Sequence, residues 1–489
     1  MQTVSALVAY AIDNGMIKKS DVIYVTNAIL ALLEENPAKE TYEKPKTTQR
    51  TLRVFLDPLL DLAAEKGLIA SNSIHDRDRF EARIMDALMP RPSELQRTFE
   101  EHYAQSPEDA TDYLYDLARN SNYIKTDRLK RNKHFSVKTA YGELQATINL
   151  AKPEKDPQAI KVAQTEEGTY PPCLLCKEYV GLNQDFKPPR KNHRIIQLRL
   201  NDEPFYFQFS PYVYYNEHAI VIYRDHVPMN LSQKTYRRLL DFVDQFPHYF
   251  LGSNAGLPIV GGSILSHEHY QGGHADFPID AARVLETYQY GSVSIEHLLW
   301  PLSVLRFKAK DADILVNVVD RFEHIWRNYH NESLGIIAKT GVRHNAITPI
   351  ARKVGDEYQM TIALRNNVTS EKYPDGVFHT HPNHQHIKKE NLGLIEVMGL
   401  GILPGRLDEE LPQITRFITG DEALQNIPKS MQPWALELKE SAPTKNVLEF
   451  VYQEAAQVFV SSLEDAAVFP HTEAGNKAFN GFIQKFLTT

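Results

Sequence analysis

The most constraining part of this sequence is a short polar run enclosed by two pairs of glycines. Between Gly261-Gly262 and Gly272-Gly273 the chain reads His267-Glu268-His269-Tyr270-Gln271. Successive side chains of a β-strand alternate between its two faces, so a strand here would place two imidazoles and one amide on the same face. Glycine permits close backbone approach and unusual turns. The run therefore predicts a strand that presents polar groups to a ligand.

This polar face suits attack on a phosphorus atom. A neutral imidazole, with a pKa of about 6.5, is nucleophilic near neutral pH and needs no separate base. Gln271 can donate a hydrogen bond to a phosphoryl oxygen, and Asn254 precedes it in a loop rich in glycine and asparagine. The pattern predicts nucleotidyl transfer through a covalent intermediate on His269. The structural alternative is a pair of strand histidines with ordinary hydrogen bonds.

Residues 1–130 are predicted to be a helical N-terminal region. Apolar residues recur there at helical spacing, in 22–33, 52–68, 78–88 and 95–117, with a break at Ser106-Pro107. No catalytic constellation is found in this region. The pattern favours a role in packing or assembly.

The rest of the chain mixes strand and helix patterns in two stretches, 131–300 and 301–489. Each stretch contains several predicted strands, a helix and a histidine-rich segment, which indicates two related units. Strands are predicted at 146–150, 193–200, 205–209, 212–215, 218–223, 334–338, 346–351, 360–364 and from Ile264. Helices are predicted at 232–246, 392–400, 413–417 and 449–463.

Composition excludes several classes of protein. The 489 residues carry a formal net charge of -8 and include only two cysteines. An acidic chain argues against a nucleic-acid partner, and so few cysteines argue against a disulfide scaffold. No run of 18 apolar residues is present, so no membrane span is predicted. We expect a cytoplasmic protein.

The two cysteines, Cys173 and Cys176, have the spacing of half a zinc site. A small apolar turn is the structural alternative, because a cysteine pair alone supplies only two of the four ligands that zinc needs. Two further ligands must come from elsewhere in the chain.

The His-x-His-x-Gln run resembles the histidine triad superfamily and, within it, the second type of the galactose-1-phosphate uridylyltransferase family. The stretches that carry the resemblance are 210–218, 246–255, 257–267 and 386–399. It implies an α+β fold: two tandem histidine-triad-like units with antiparallel sheets and packed helices, besides the N-terminal helical region. It also implies a homodimer.

The resemblance implies a two-step reaction in galactose metabolism. UDP-glucose would transfer its uridylyl group to His269, and galactose 1-phosphate would then accept that group. By the same resemblance Gln271 contacts the transferred phosphoryl group, and Asn254 with Ser263 or Ser266 contributes to the phosphate pocket. It also implies a structural zinc on Cys173, Cys176, His226 and His267, with His218 as the alternative to His226.

A second group of polar residues follows in the latter half of the chain. His379, His381, His384 and His386 could bind a second metal or the hexose phosphate, or could lie in a solvated loop. Lys388 and Lys389 are candidates for a sugar phosphate, since charge-assisted donors suit a dianion. Arg343 is a further candidate, with His344 and Asn345 beside it. Ile395–Gly401 lacks the glutamate of the first family type, so hexose specificity is not transferred.

Two other functions compete with the uridylyltransferase. A histidine-triad hydrolase or dinucleotide phosphorylase would use water or phosphate as acceptor, and Gln271 in place of a third histidine argues against it. A catalytically inactive nucleotide-binding or assembly protein is the other, and the intact His269 argues against that.

Overall fold

The structure, a computed structural model, describes residues 2–36, 51–150, 170–182, 190–262 and 264–489 of the chain. Helices and mainly antiparallel sheets occur together, which confirms the α+β class. The helices in these residues are α1 (Gln2–Asp13), α2 (Val22–Leu32), α3 (Arg53–Glu65), α4 (Ile74–Asp86), α5 (Pro92–Tyr103), α6 (Pro107–Asn120), α7 (Thr126–Leu129), α8 (Gln233–Gln245), α9 (Ala312–Arg327), α10 (Leu394–Val397), α11 (Leu407–Thr419), α12 (Gln432–Ser441), α13 (Val447–Asp465) and α14 (Glu473–Thr488).

In the described residues of the N-terminal region, α1 to α7 all precede the first strand. The predicted break is a helix start. The Ser106 hydroxyl accepts the backbone N–H of Asp109, and Pro107 is the first residue of α6, where a missing N–H costs nothing. None of the helices in the described residues is both long and apolar enough to cross a membrane.

Three sheets contain all the strands of the described residues. The strands are β1 (Lys133–Thr139), β2 (Gly142–Ile148), β3 (Ile196–Leu200), β4 (Glu203–Phe209), β5 (Ala219–Tyr223), β6 (Phe250–Gly252), β7 (His269–Gly273), β8 (Val284–Tyr290), β9 (Val293–Leu298), β10 (Val304–Ala309), β11 (Lys339–Thr340), β12 (Val342–Arg343), β13 (Asn345–Val354), β14 (Glu357–Asn366) and β15 (Leu400–Leu403). The main sheet has ten strands in the order β3-β4-β5-β7-β6-β13-β14-β10-β9-β8. The others are β1-β2-β15 and β11-β12.

The two halves of the main sheet have the same connectivity. In each half three antiparallel strands are followed by a helix and then by two more strands, the second of which lies between the first and the earlier three. The halves meet where β6 pairs with β13, with Gly252 beside Ile350. The sheet therefore runs without a break from the first half to the second.

The two faces of this sheet are covered by different elements. Tyr270 and Leu251 face one core, which contains Tyr236 of α8, Phe322 of α9 and residues of α1 to α6. Phe250 faces a second core, formed with α10 to α13 and the β1-β2-β15 sheet. Because neighbours along a strand point to opposite faces, His269 and Gln271 lie on the face of the second core.

Several predicted elements differ from the structure. Residues 212–215 and 334–338 were predicted as strands but form turns, and Ile264 lies in a loop five residues before β7. The predicted helix 392–400 is only the four-residue α10, followed directly by β15. Short apolar runs fit either structure, so tertiary packing decides between them.

Candidate functional site

His269 is the first residue of β7 and is almost completely buried. It pairs with Ile222 of β5, and Gln271 pairs with both Ile220 and Gly252. The predicted strand thus exists, but His267 lies just outside it. Tyr270 points into the opposite core, so the expected alternation of side chains is present.

The imidazole of His269 is held by one ring nitrogen. Its Nδ1 lies 2.8 Å from the carbonyl oxygen of His267, so this nitrogen carries the proton and donates it. Among the described residues Nε2 has no hydrogen-bond partner, so its lone pair is not engaged there. Burial lowers the pKa of His269 to about 4, against the raising effect of that hydrogen bond. The ring is neutral at physiological pH.

Gln271 is oriented by a buried histidine. The Nε2 atom of His218 lies 3.3 Å from the amide oxygen of Gln271. Burial lowers the pKa of His218 to about 3, so the imidazole is neutral and donates its single N–H to this oxygen. The NH₂ group of Gln271 is then left to donate toward a ligand.

An ionic network anchors the opposite side of the same strand. Arg238 of α8 donates to Glu268 at 2.7 Å, to the Tyr270 hydroxyl at 3.0 Å and to Glu203 of β4 at 2.7 Å. The pKa of Glu203 is lowered, because its bonds with Arg238 outweigh the effect of burial. This network holds Glu268, which lies between the two histidines, and Tyr270, which follows His269.

Close neighbours restrict two of the bracketing positions to glycine: a backbone carbonyl at Gly272 and the Asn254 side chain at Gly262. A Cβ atom on Gly272 would lie 2.5 Å from the carbonyl oxygen of Phe250, and one on Gly262 would lie 2.7 Å from the amide nitrogen of Asn254. Both distances are shorter than van der Waals contact. The glycines therefore permit close packing of the strands and loop around the histidines, as well as any approach of a ligand.

Four potential metal ligands converge next to this strand. Nitrogen or sulfur atoms of Cys173, Cys176, His226 and His267 all lie within 4.8 Å of one another. The two sulfurs are 3.6 Å apart. The Nδ1 atom of His267 is 3.2 Å from the sulfur of Cys173, and the Nδ1 atom of His226 is 3.3 Å from the sulfur of Cys176. Tetrahedral zinc with these ligands needs edges of about 3.3–3.8 Å, so the donor set fits.

The chemistry of the individual donors also fits a metal. The other nitrogen of His267, Nε2, donates to the carbonyl oxygen of Tyr223 at 2.9 Å, which leaves Nδ1 unprotonated and directed at the cysteines. The pKa of the Cys176 thiol is lowered to about 4, first by the hydrogen bond from Cys173 and then by those with the two histidines. The cluster includes His226; His218 bonds to Gln271 instead.

Two of the residues predicted for the phosphate pocket, Asn254 and Ser266, lie in the described part of the segment between β6 and β7. Asn254 is buried, and its side-chain oxygen accepts the backbone N–H of Leu394 at 3.0 Å, which ties this loop to the latter half of the chain. Ser266 is exposed beside His267. Ser263 lies outside the described residues.

The cations predicted for the sugar phosphate are found in three separate places. Lys388 is buried and donates to Glu390, to Glu396 and to the carbonyl oxygen of Ile402, so its three hydrogens are all engaged. Lys389 is exposed. Arg343 is half-buried in β12, and its pKa is lowered by burial and by the charge of Arg327, which places it near α9 on the opposite face of the sheet.

The four clustered histidines do not converge. His381 and His384 both contact the carboxylate of Asp465, at 3.1 and 2.6 Å. His386 packs against Trp434, and His379 is buried. Within the described residues they form no group of three metal ligands, so a second metal at this cluster finds no support.

Sequence reasoning missed Arg238 and Arg365, and it named His218 only as an alternative metal ligand. The role of His218 in orienting Gln271 and the anchoring role of Arg238 depend on contacts between distant segments, for which a single sequence contains no signal. Arg365 lies in β14 and is 1% exposed. An arginine inside an otherwise apolar strand pattern could have drawn attention to it.

Comparison with known proteins agrees with this geometry. The family model described as Galactose-1-phosphate uridyl transferase, N-terminal domain, matches residues 15–228, and the corresponding C-terminal domain matches residues 242–427. No solved structure matches the chain.

Curated relatives are similar over almost their whole length. A protein of Halalkalibacterium halodurans named galactose-1-phosphate uridylyltransferase is 44% identical over 98% of this chain and 97% of its own length. One of Bacillus subtilis with the same name is 44% identical over 98% of this chain and 96% of its own. One of Clostridium perfringens, again so named, is 43% identical over 98% and 97%. The chain therefore belongs to the galactose-1-phosphate uridylyltransferase family of transferases, as its motifs predicted.

Proposed function

We propose that this protein exchanges a uridylyl group between UDP-glucose and galactose 1-phosphate through a covalent uridylyl-histidine on His269. The observation that carries the proposal is the state of the His269 ring. Its Nδ1 proton is donated to the His267 carbonyl, so Nε2 carries the lone pair that can attack. The names of the full-length relatives support the substrates.

The chemistry divides into two displacements at phosphorus. In the first, Nε2 of His269 attacks the α-phosphorus of UDP-glucose, a P–N bond forms, and the bond to the β-phosphate oxygen breaks to release glucose 1-phosphate. In the second, a phosphate oxygen of galactose 1-phosphate attacks the same phosphorus and the P–N bond breaks. The leaving phosphate needs little protonation, since its second pKa is about 6.

Gln271 stabilises the charge that develops on the phosphoryl oxygens. Its amide oxygen is engaged by His218, so the NH₂ group is presented to a non-bridging oxygen without first reorganising. A preorganised donor of this kind acts mainly in the transition state. A neutral amide also avoids the repulsion that a carboxylate would exert on an anionic substrate.

The covalent intermediate can be weighed directly. The protein is mixed with UDP-glucose, quenched in alkali, in which phosphohistidine bonds survive, and analysed as the intact chain. We expect the mass to increase by one uridylyl group in the parent but not in His269→Ala. The matched control is His324→Ala, an exposed histidine of α9 on the opposite face of the sheet, which should label like the parent.

Galactose 1-phosphate should then discharge the labelled protein. If water alone discharges it as quickly, the protein is a hydrolase rather than a transferase. If the parent binds UDP-glucose but gains no mass, the covalent mechanism is wrong and a nucleotide-binding role takes its place.

We further propose that the cluster of Cys173, Cys176, His226 and His267 holds a structural zinc ion. When bound, zinc would fix His267, whose carbonyl oxygen in turn orients the nucleophile. Metal analysis of the purified protein should give one zinc per chain, and Cys176→Ser should lose it. His218→Ala should retain it. A metal-free parent purified with added zinc would contradict the assignment.

We also infer that the halves of the main sheet are tandem histidine-triad-like units. Their identical connectivity supports this, as does the position of the His-x-His-x-Gln run on the inner strand β7. The corresponding strand of the second half, β14, contains no histidine. Each chain then has a single nucleophile, so labelling should stop at one uridylyl group per chain.

A further inference from the structure

The second half of the sheet contains a buried guanidinium that is largely unpaired. Arg365 of β14 is 1% exposed, and within the described part of the chain its one hydrogen bond joins Nη2 to the carbonyl oxygen of Leu392 at 2.9 Å. Among the described residues, its Nε and Nη1 have no partner. A charge buried in this way costs several kcal/mol unless something compensates it. The protein therefore keeps Arg365 at a cost to stability.

Other polar groups near Arg365 are also without partners. The hydroxyl of Thr348 on β13, 1% exposed, meets no hydrogen-bond partner in the described residues, and the ring nitrogens of His379 meet no side-chain partner there. The pKa of His379 is lowered to about 4 by burial and by the charge of Arg365, so its ring lies within range of that charge. The carboxylate whose charge acts on the pKa of Arg365 is that of Glu396, and it already forms an ion pair with Lys388.

These groups lie on the same face of the sheet as the nucleophile. Gln271 pairs with Gly252, Gly252 with Ile350, and Ile350 with Thr361. Paired residues share a face, and so do residues two apart along a strand. Thr348 and Arg365 are therefore on the face of His269. Three strand intervals separate β7 from β14, which amounts to about 14 Å.

Loop residues lie between Arg365 and the segment that leads into β7. The carbonyl of Leu392 accepts from Arg365, while two residues later the N–H of Leu394 is bound by Asn254, next to Gly262. The segment 392–394 therefore lies over the sheet between the arginine and the loop that leads into β7. The side chains of His269 and Arg365, with the pyrophosphate of a nucleotide sugar between them, can span the distance between β7 and β14.

We propose that Arg365, with Thr348 and His379 beside it, binds the phosphate of the hexose 1-phosphate. This rests on the proposed uridylyl transfer, in which that phosphate is the β-phosphate of the nucleotide sugar before transfer and the attacking group after it. The planar guanidinium can donate Nε and Nη1 to two phosphate oxygens at once. The phosphate of the ligand then provides the negative charge that compensates the buried guanidinium of Arg365.

Binding can be measured without any transfer. The parent and Arg365→Gln are titrated with glucose 1-phosphate, inorganic phosphate, glucose and UMP. We expect the variant to bind glucose 1-phosphate about 10- to 100-fold more weakly, as loss of a charge-assisted pair predicts, with UMP binding unchanged. Weakening with inorganic phosphate but not with glucose identifies the phosphate as the group recognised.

A second arginine provides the matched control. Arg306 of β10 is also buried on this face, but it donates to the carbonyl oxygen of Ile279 at 2.7 Å and lies 3.5 Å from Glu296. Arg306→Gln should melt at a lower temperature and bind glucose 1-phosphate as the parent does. Arg365→Gln without ligand should melt no lower than the parent, because it removes an uncompensated charge.

Further outcomes decide the proposal even if one variant fails to fold. Thr348→Val, which keeps the shape of the side chain, should weaken glucose 1-phosphate binding several-fold. Unchanged binding in both variants overturns the proposal, and so does an equal loss of UMP binding in Arg365→Gln. A parent that binds phosphate at Arg365 yet never labels His269 would refute the proposed function but keep this site.

Discussion

The two halves of the main sheet share one connectivity but carry different chemistry. β7 of the first half presents His269 and Gln271, and the four metal-ligand candidates stand beside it. At the matching place in the second half, β14 has no histidine but contains the buried Arg365. The comparison shows that a repeated framework positions residues without specifying their roles. In the proposed function one half provides the nucleophile and the other a buried cation that binds the phosphate.

The different roles of the two halves are tested most strongly by replacing His269 and Arg365 in turn. His269→Ala should lower the turnover of UDP-glucose with galactose 1-phosphate at least about 10⁴-fold, since no other group can take the uridylyl. Arg365→Gln should lower turnover less and should still form the labelled intermediate. Initial rates and intact mass measure the two effects. Equal losses, with no label in either variant, would contradict the division of roles.

The ionic network of Arg238 tests how far the stability of the first half depends on contacts on the opposite face of β7. Arg238→Met should lower the free energy of unfolding by about 3–5 kcal/mol, because it leaves the buried Glu268 without its countercharge. Denaturant unfolding measures this change. Arg237→Met, on the exposed side of the same helix, is the control and should change the free energy by less than about 1 kcal/mol.

Gln271 separates transition-state stabilisation from substrate binding. Gln271→Met should lower kcat about 100-fold with little change in the KM for UDP-glucose, because the lost hydrogen bond acts mainly as charge develops. His218→Phe removes only the group that orients the amide, so its effect on kcat should be smaller. A larger effect for His218→Phe than for Gln271→Met would argue that His218 contacts the substrate itself.

The smallest expected effect concerns pH and a histidine outside the site. The pKa of His193 is lowered to about 3 by burial and by the charges of Arg190 and Arg194, so the folded state binds its proton less readily than the unfolded state. Its contribution is fully present above pH 6.5 and is lost as the pH falls toward 3.

This histidine should therefore make the protein less stable in mild acid. Between pH 7 and pH 5 it should account for about 2 kcal/mol of the decrease in unfolding free energy. His193→Gln, which cannot take up a proton but can still bond to Gln208, should show a correspondingly shallower decrease. Denaturant unfolding at the two pH values measures the difference, and identical slopes would contradict the role of His193.

Much of the secondary structure followed from local patterns in the chain. The helix 232–246 was predicted almost to the residue, since its apolar spacing and the serine at its start agree. Strands β8 to β10 and helices α9 and α14 were missed, although Ala312–Arg327 has a clear apolar stripe. The predicted strand at 334–338 failed because a short apolar run has no period long enough to distinguish a strand from a turn.

The sequence by itself determined the alternation of His269 and Tyr270, the spacing of Cys173 and Cys176, and the family. These properties depend on neighbours along the chain, whose relation is set by backbone geometry. Only the tertiary structure brought His226 and His267 to the cysteines and placed His218 against Gln271. It also buried Arg365 where, among the described residues, its Nε and Nη1 have no hydrogen-bond partner. The contacts of these histidines join residues 50 to 94 positions apart, and they depend on how strands pair across the sheet, which no local stretch of the sequence encodes.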